Sequence, residues 1–185
     1  MAAMIYQVQI ALKGFNPKIW RRILIPSDML LVDFHKVIQS SMGWTNSHLH
    51  QFIKDRTFYS IKHPGDDMWD DMDNIDYKKK KLRISDLLKT EHEQIIYEYD
   101  FGDGWEHEIL LEAILPNDSS VKYPVCLTGK MSCPPEDCGG VWGYANMLEI
   151  LKNPGHEEYG EYMEWLGKKF DPKYFNKDEV NKLLQ

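Results

Sequence analysis

The sequence predicts an α+β fold: a mixed, mainly antiparallel sheet rolled around one helix (an α/β roll), with C-terminal helices packed on it. Three observations carry this expectation. Met4–Lys13 and Ile95–Ala113 alternate apolar and polar residues at period two, as half-buried strands do. Leu30–Met42 instead spaces its apolar residues at 3.6, the period of a helix with one buried face. After Tyr123 the chain becomes dense in Pro, Gly and Cys and then helical.

The elements follow in order. Met4, Tyr6, Val8, Ile10 and Leu12 share one face of a first strand. Gly14-Phe-Asn-Pro17 is turn chemistry, and Ile19–Ile25, closed by Pro26, completes a hairpin. Arg21 and Arg22 put one cation on each face of that strand. Either at least one is half buried and needs an anion, such as the acidic face of the later hairpin, or both snorkel at an edge with their heads in water. Ser27 or Asp28 can cap the helix over residues 29–42, which Gly43 ends. His48–Ile53 and Thr57–Ile61 read as strands. Residues 63–76 form an acidic irregular stretch, followed by the basic run Lys78–Lys81. Leu82–Leu88 fits a short helix capped at Ser85. Ile95–Ala113 is a hairpin about Gly102-Asp103-Gly104, with Phe101 opposite Trp105 and Tyr99 opposite His107. One face then carries Tyr97, Tyr99, Phe101, Trp105, His107, Ile109 and Leu111, and the other carries Glu98, Asp100, Glu106 and Glu108. Tyr123–Gly140 reads as a loop. Helices follow around Tyr144–Leu151 and Tyr162–Leu166, and a last one is capped by Asn176 with Glu179. The predicted core includes Tyr6, Val8, Ile10, Ile23, Phe34, Ile38, Phe52, Tyr99, Trp105, Ile109, Leu148 and Trp165.

Bulk properties narrow the function. At 185 residues the chain reads as one domain, with a roll over 1–115 and a loop-plus-helix part over 116–185. Its formal charge of -7 argues against sequence-independent nucleic-acid binding. A protein partner or a small ligand is the better expectation. No apolar run approaches a membrane span, and no signal-peptide pattern opens the chain. The three cysteines cannot all pair within one chain, so a reduced cytoplasmic setting is expected.

Several stretches together carry a family resemblance. They are Pro17–Arg22, Gly43-Trp44 with His48-Leu-His50, Tyr99–Trp105 with His107, and Cys133–Gly140, continued by Gly143-Tyr144, Asn153-Pro154 and Phe170-Asp-Pro172. The chain resembles the plasmid ORF-three-like family, first named from a root-inducing plasmid and also labelled as an insertion-element passenger protein. The resemblance runs nearly end to end. It implies an α+β roll and a link to mobile genetic elements, but no activity. It also implies that Pro134-Pro-Glu-Asp137 and Gly139-Gly140 are the steady part of their loop, whereas other residues can replace the cysteines.

Five constellations can carry chemistry. His48 and His50, two apart on a strand, would point the same way and hold a divalent ion such as zinc, completed by Asp100, Asp103, Glu136 or Asp137. The plainer alternative packs them beside Phe52. Cys133 and Cys138 have zinc-ligand spacing, and Cys126 with one histidine would complete four ligands, but no second cysteine pair supports this. Cys133 or Cys138 with His107 would make a nucleophilic pair, although nothing in the sequence places them together. The acidic hairpin face suits paired-carboxylate chemistry, or simply solvent. Lys78–Lys81 with Tyr77 and Arg83 is a short basic cluster of the kind usually found on a surface. The expectation is therefore a non-enzymatic binding or accessory protein. Its groove would be lined by the His48/His50 strand, by Asp100, Asp103 and Trp105, and by Glu136 and Asp137. A metal-dependent hydrolase using His48 and His50 is the alternative.

Overall fold

A computed structural model describes residues 3–62, 74–167 and 170–185. Among them lie eight strands in one sheet and five helices. The strands are β1 (Ile5–Leu12), β2 (Trp20–Pro26), β3 (His50–Lys54), β4 (Thr57–Ser60), β5 (Asn74–Asp76), β6 (Gln94–Tyr99), β7 (Trp105–Leu115) and β8 (Val125–Lys130). The helices are α1 (Leu31–Met42), α2 (Ile84–Leu87), α3 (Gly140–Leu151), α4 (Tyr159–Leu166) and α5 (Lys177–Leu183). The sheet order is β5-β4-β3-β6-β7-β1-β2-β8. Every neighbouring pair is antiparallel except β4 and β5. The α+β class and the mainly antiparallel sheet therefore agree with the sequence.

Helix α1 presents Leu31, Phe34, Val37, Ile38 and Met42 to the sheet, the spacing that makes one apolar stripe. They share a buried cluster with Val8, Ile23, Phe52, Tyr97, Trp105 and Ile109, and with Tyr144 of α3 and Val180 of α5. Gly43 ends the helix at φ +88, its amide donating to Gln39 O. At the other end neither Ser27 nor Asp28 caps it; Leu30 holds the N-cap position and bridges to Arg83.

The central hairpin differs from expectation by two residues. Tyr99 stands opposite Trp105, Tyr97 opposite His107 and Ile95 opposite Ile109. The turn consequently spans residues 100–104, and Phe101 lies in it, exposed. Glu98 now faces Glu106. Each carboxylate has its own partner: Gln51 donates to Glu98 at 2.6 Å, and Lys13 pairs with Glu106 at 2.6 Å. Those contacts offset the like-charge pairing of a bare cross-strand couple.

The two arginines of β2 separate as their strand positions require. Arg22 makes a forked contact with Glu112 on β7, at 2.5 and 2.7 Å. Arg21 is buried and donates to the carbonyls of Ser41, Trp20 and Lys130, with its guanidinium over the Phe175 ring. Its charge is thus met by carbonyl dipoles, among them one from the C-terminal turn of α1.

Two strands lay hidden in stretches that read as irregular. Val125–Lys130 pairs with β2 inside the Pro- and Cys-rich loop, and Asn74–Asp76 pairs in parallel with β4. The rest of the acidic stretch, residues 63–73, lies outside the described residues. Leu148 is partly buried, but Trp165 is 48% exposed and is not core. Asn176 caps α5 as expected, accepting from the amides of Asp178 and Glu179. The short helix is capped at Arg83 rather than Ser85. Among the described residues no helix is long and apolar enough to cross a membrane.

Candidate functional site

Three segments meet where β6 ends. They are residues 44–49 after α1, the turn 100–104, and the loop 134–140. Aromatic packing and hydrogen bonds hold them together. Trp44 packs against Tyr99, Trp105 and His107, and its Nε1 donates to Pro134 O at 2.9 Å. The Tyr99 hydroxyl accepts from the amides of Ser47 and His48 and donates to Glu136 at 2.5 Å. The other Glu136 oxygen accepts from the amide and hydroxyl of Thr45. Asp103 accepts from the amide of Gly139 at 3.1 Å. Glu136 and Asp103 therefore act as clamps between segments.

That clamping brings His48, Asp100 and Asp137 together. Their potential ligand atoms all lie within 4.8 Å of one another. The Nε2 of His48 is 3.0 Å from Asp137 Oδ1 and 3.7 Å from Asp100 Oδ2. The ring is partly exposed, but Nε2 itself is buried and makes no hydrogen bond of acceptable geometry. Two ligand atoms on a tetrahedral zinc ion, each about 2.0–2.2 Å from it, stand about 3.3–3.6 Å apart. The two observed separations bracket that spacing. Asp100 is held in the left-handed region at φ +57, its Oδ1 accepting from the amides of Gly102 and Asp103. Its Oδ2 is left for His48. Asp137 also has a positive φ and is largely exposed.

His50 takes no part in that cluster. Strand β3 begins at His50, so His48 precedes it and the two rings are not held on one strand face. His50 instead stacks on His35 of α1, with ring centroids 3.5 Å apart and planes 4° from parallel. Its Nε2 meets the Tyr77 hydroxyl at 2.5 Å. Burial, and then His35, push the His50 pKa down to about 3, so the ring is neutral at neutral pH. Burial lowers that of His35 as well.

Hydrogen-bond logic sets the tautomers. Gln39 donates to the Tyr97 oxygen, so the Tyr97 hydroxyl is free to donate to His35 Nδ1. His35 Nε2 then carries the proton and donates to Asn46 Oδ1, while the Asn46 amide returns to Gln39 Oε1. The ring of four residues is closed through the Asn46 backbone amide. Tyr77 is buried, and its hydroxyl has only His50 Nε2 as acceptor among the described residues. A buried hydroxyl needs that bond. His50 therefore accepts at Nε2 and carries its proton on Nδ1.

The cysteines stay apart from this chemistry. All three are free, and among the described residues none joins a group of metal-ligating side chains. The expected set of Cys126, Cys133 and Cys138 with a histidine does not assemble. Burial raises the pKa of each thiol, that of Cys138 to about 12, which disfavours the thiolate that binds metal or attacks carbon. His107 is fully buried beside Trp44, its pKa lowered by burial to about 4, and it belongs to the core. Trp105 is also fully buried and packs against Trp44 beneath the turn.

A groove of about 990 Å³ runs from His48 past His50 to Lys78 and Lys81. Its walls are thus α1, residues 46–50 and the segment around Tyr77, rather than the turn 100–104 and the loop 134–140. Those two stand at its end, where His48 meets them. Two wall residues, His35 and Tyr77, carry little sequence signal: His35 is a histidine beside the apolar stripe of a helix, and Tyr77 precedes a run of lysines.

Comparison with known proteins agrees with the fold. The family model described as plasmid pRiA4b ORF-3-like protein matches residues 4–179. The chain is 36% identical over 185 residues to the uncharacterised protein y4hQ of Sinorhizobium fredii, covering 100% of this chain and 92% of that one. It is similar in structure to MM3350 of Methanosarcina mazei, a protein of unknown function, with a TM-score of 0.86 and 39% identity over 97% of this chain and 99% of that one. The chain belongs to the plasmid pRiA4b ORF-3-like family.

Proposed function

We propose that the protein is a non-enzymatic binding protein in which His48, Asp100 and Asp137 hold one divalent cation at the end of the groove. The observation that carries this reading is the His48 Nε2 atom, buried between two carboxylates without a hydrogen bond. One imidazole and two carboxylates suit zinc or manganese. Three protein ligands leave coordination positions open, and a ligand lying in the groove would take them. The free thiols support a reducing cytoplasmic setting. The plasmid in the family's name supports an accessory role in mobile genetic elements.

The open positions also favour one second reading, a metal-dependent hydrolase, because catalytic metal sites keep such a position. Purified protein stripped of metal, then reloaded with zinc or manganese, tests both. A raised thermal midpoint on loading, lost in Asp137→Ala, supports the cation site. Hydrolysis of p-nitrophenyl phosphate or acetate by the loaded protein, absent in Asp137→Ala, would favour the enzyme. No metal-dependent change in midpoint would remove both.

A further inference from the structure

The groove itself has a chemistry that the cation site does not account for. In a chain of formal charge -7, its described lining contains Lys36, Lys78 and Lys81 and no carboxylate. Lys36 is paired with Asp33 at 2.8 Å. Lys78 and Lys81 are exposed, and among the described residues neither has an ion-pair partner. The His50 Nδ1–H, fixed as a donor by Tyr77, has no acceptor among the described residues. Between these polar groups the wall is apolar, built from Leu30, Val32, Leu49, Ile61 and Tyr77. The volume of about 990 Å³ is that of a site for a small organic molecule.

From this juxtaposition we infer that the groove binds an organic phosphate, with its anionic group at Lys78, Lys81 and His50 and its apolar body against Leu30, Val32 and Ile61. Two ammonium groups with no ion-pair partner among the described residues match a dianion better than a single carboxylate, and lysine is a common point-charge partner for phosphate. Among the described lining residues the full charges are all cationic, and between low-dielectric walls they concentrate the field on an entering anion. The apolar wall distinguishes this ligand from inorganic phosphate, which has nothing to bury there. The ammonium groups distinguish it from a neutral apolar molecule. The site shares the groove with the proposed cation but does not need it.

Isothermal titration of phenyl phosphate into metal-stripped protein, in chelator-free buffer, is the test. The expected result is saturable binding, at least tenfold weaker in the Lys78→Gln/Lys81→Gln double variant and weakened by added salt. Inorganic phosphate should bind at least tenfold more weakly than phenyl phosphate, and benzyl alcohol should not bind. A change in the His50 imidazole signals of wild-type protein on titration would place the ligand in the groove. Absence of saturable binding at 10 mM overturns the inference. So does equal affinity in the double variant, or inorganic phosphate binding as tightly as phenyl phosphate. Because the protein is stripped of metal, failure of the cation site leaves this result unchanged.

Discussion

The α carbon of Gly140 lies so near the carbonyl oxygen of Asp103 that a Cβ built there would stand 2.4 Å from it. This contact seats the start of α3 against the turn 100–104. The Gly139 amide donates to the Asp103 carboxylate beside it, and together they set Asp137 across from Asp100. Gly140 also has φ +68, where a side chain costs about 1–2 kcal/mol before any clash is counted. Gly140→Ala should lower stability by about 2–4 kcal/mol in urea denaturation, adding the steric conflict to that cost. It should also weaken cation binding, because the loop that carries Asp137 must move.

Glu136 holds the other side of the same loop, joining Thr45 to the buried Tyr99 hydroxyl. Removing it leaves that hydroxyl without its acceptor, a loss of about 1–3 kcal/mol. Glu136→Ala should lose about that much stability and speed hydrogen exchange at the Ser47 and His48 amides. Glu136→Gln, which keeps an acceptor oxygen, should recover most of it. An unchanged urea midpoint for Glu136→Ala would mean that the clamp contributes nothing.

Acid should destabilise the fold through its buried histidines. His50 and His107 have folded-state pKa values lowered to about 3 and about 4, below an unfolded value near 6.5. Between those limits the unfolded chain binds more protons than the folded one, so stability rises with pH. The contribution is fully present above about pH 6.5. It declines as pH falls towards 4, by at most roughly 1.4 kcal/mol per pH unit for each ring. Denaturation midpoints should therefore drop between pH 7 and pH 5. His107→Phe, which keeps a ring in the core, should flatten that dependence. Equal slopes for the variant and the wild type would exclude His107 as a source.

Much of the fold was legible because it rests on local periodicity. The alternation in β1, the 3.6 spacing of α1 and the Asn176 cap are each written within a dozen residues. The hairpin register was not, because Gly102 and Gly104 suit a three-residue loop as well as the five-residue turn. The choice is made by contacts of Asp100 and Asp103 with distant segments. Strands β5 and β8 were hidden for a related reason: three residues, or six among prolines and cysteines, become strand only when a partner edge is supplied. At the site, His48, Asp100 and Asp137 stood out as chemistry-bearing residues, but so did His50, Cys133 and Cys138. The stacking of His50 on His35 and the burial of the thiols are tertiary facts, and sequence spacing carries no trace of them.

The most direct test of the central claim compares two histidines only two residues apart. Zinc and manganese titrated calorimetrically into metal-stripped wild-type protein should bind at one site per chain. His48→Ala should abolish that binding, and His50→Ala, if folded by circular dichroism, should retain it within a few-fold. Retention of binding in His48→Ala, or its loss in a folded His50→Ala, would contradict the assignment of the cation to His48, Asp100 and Asp137.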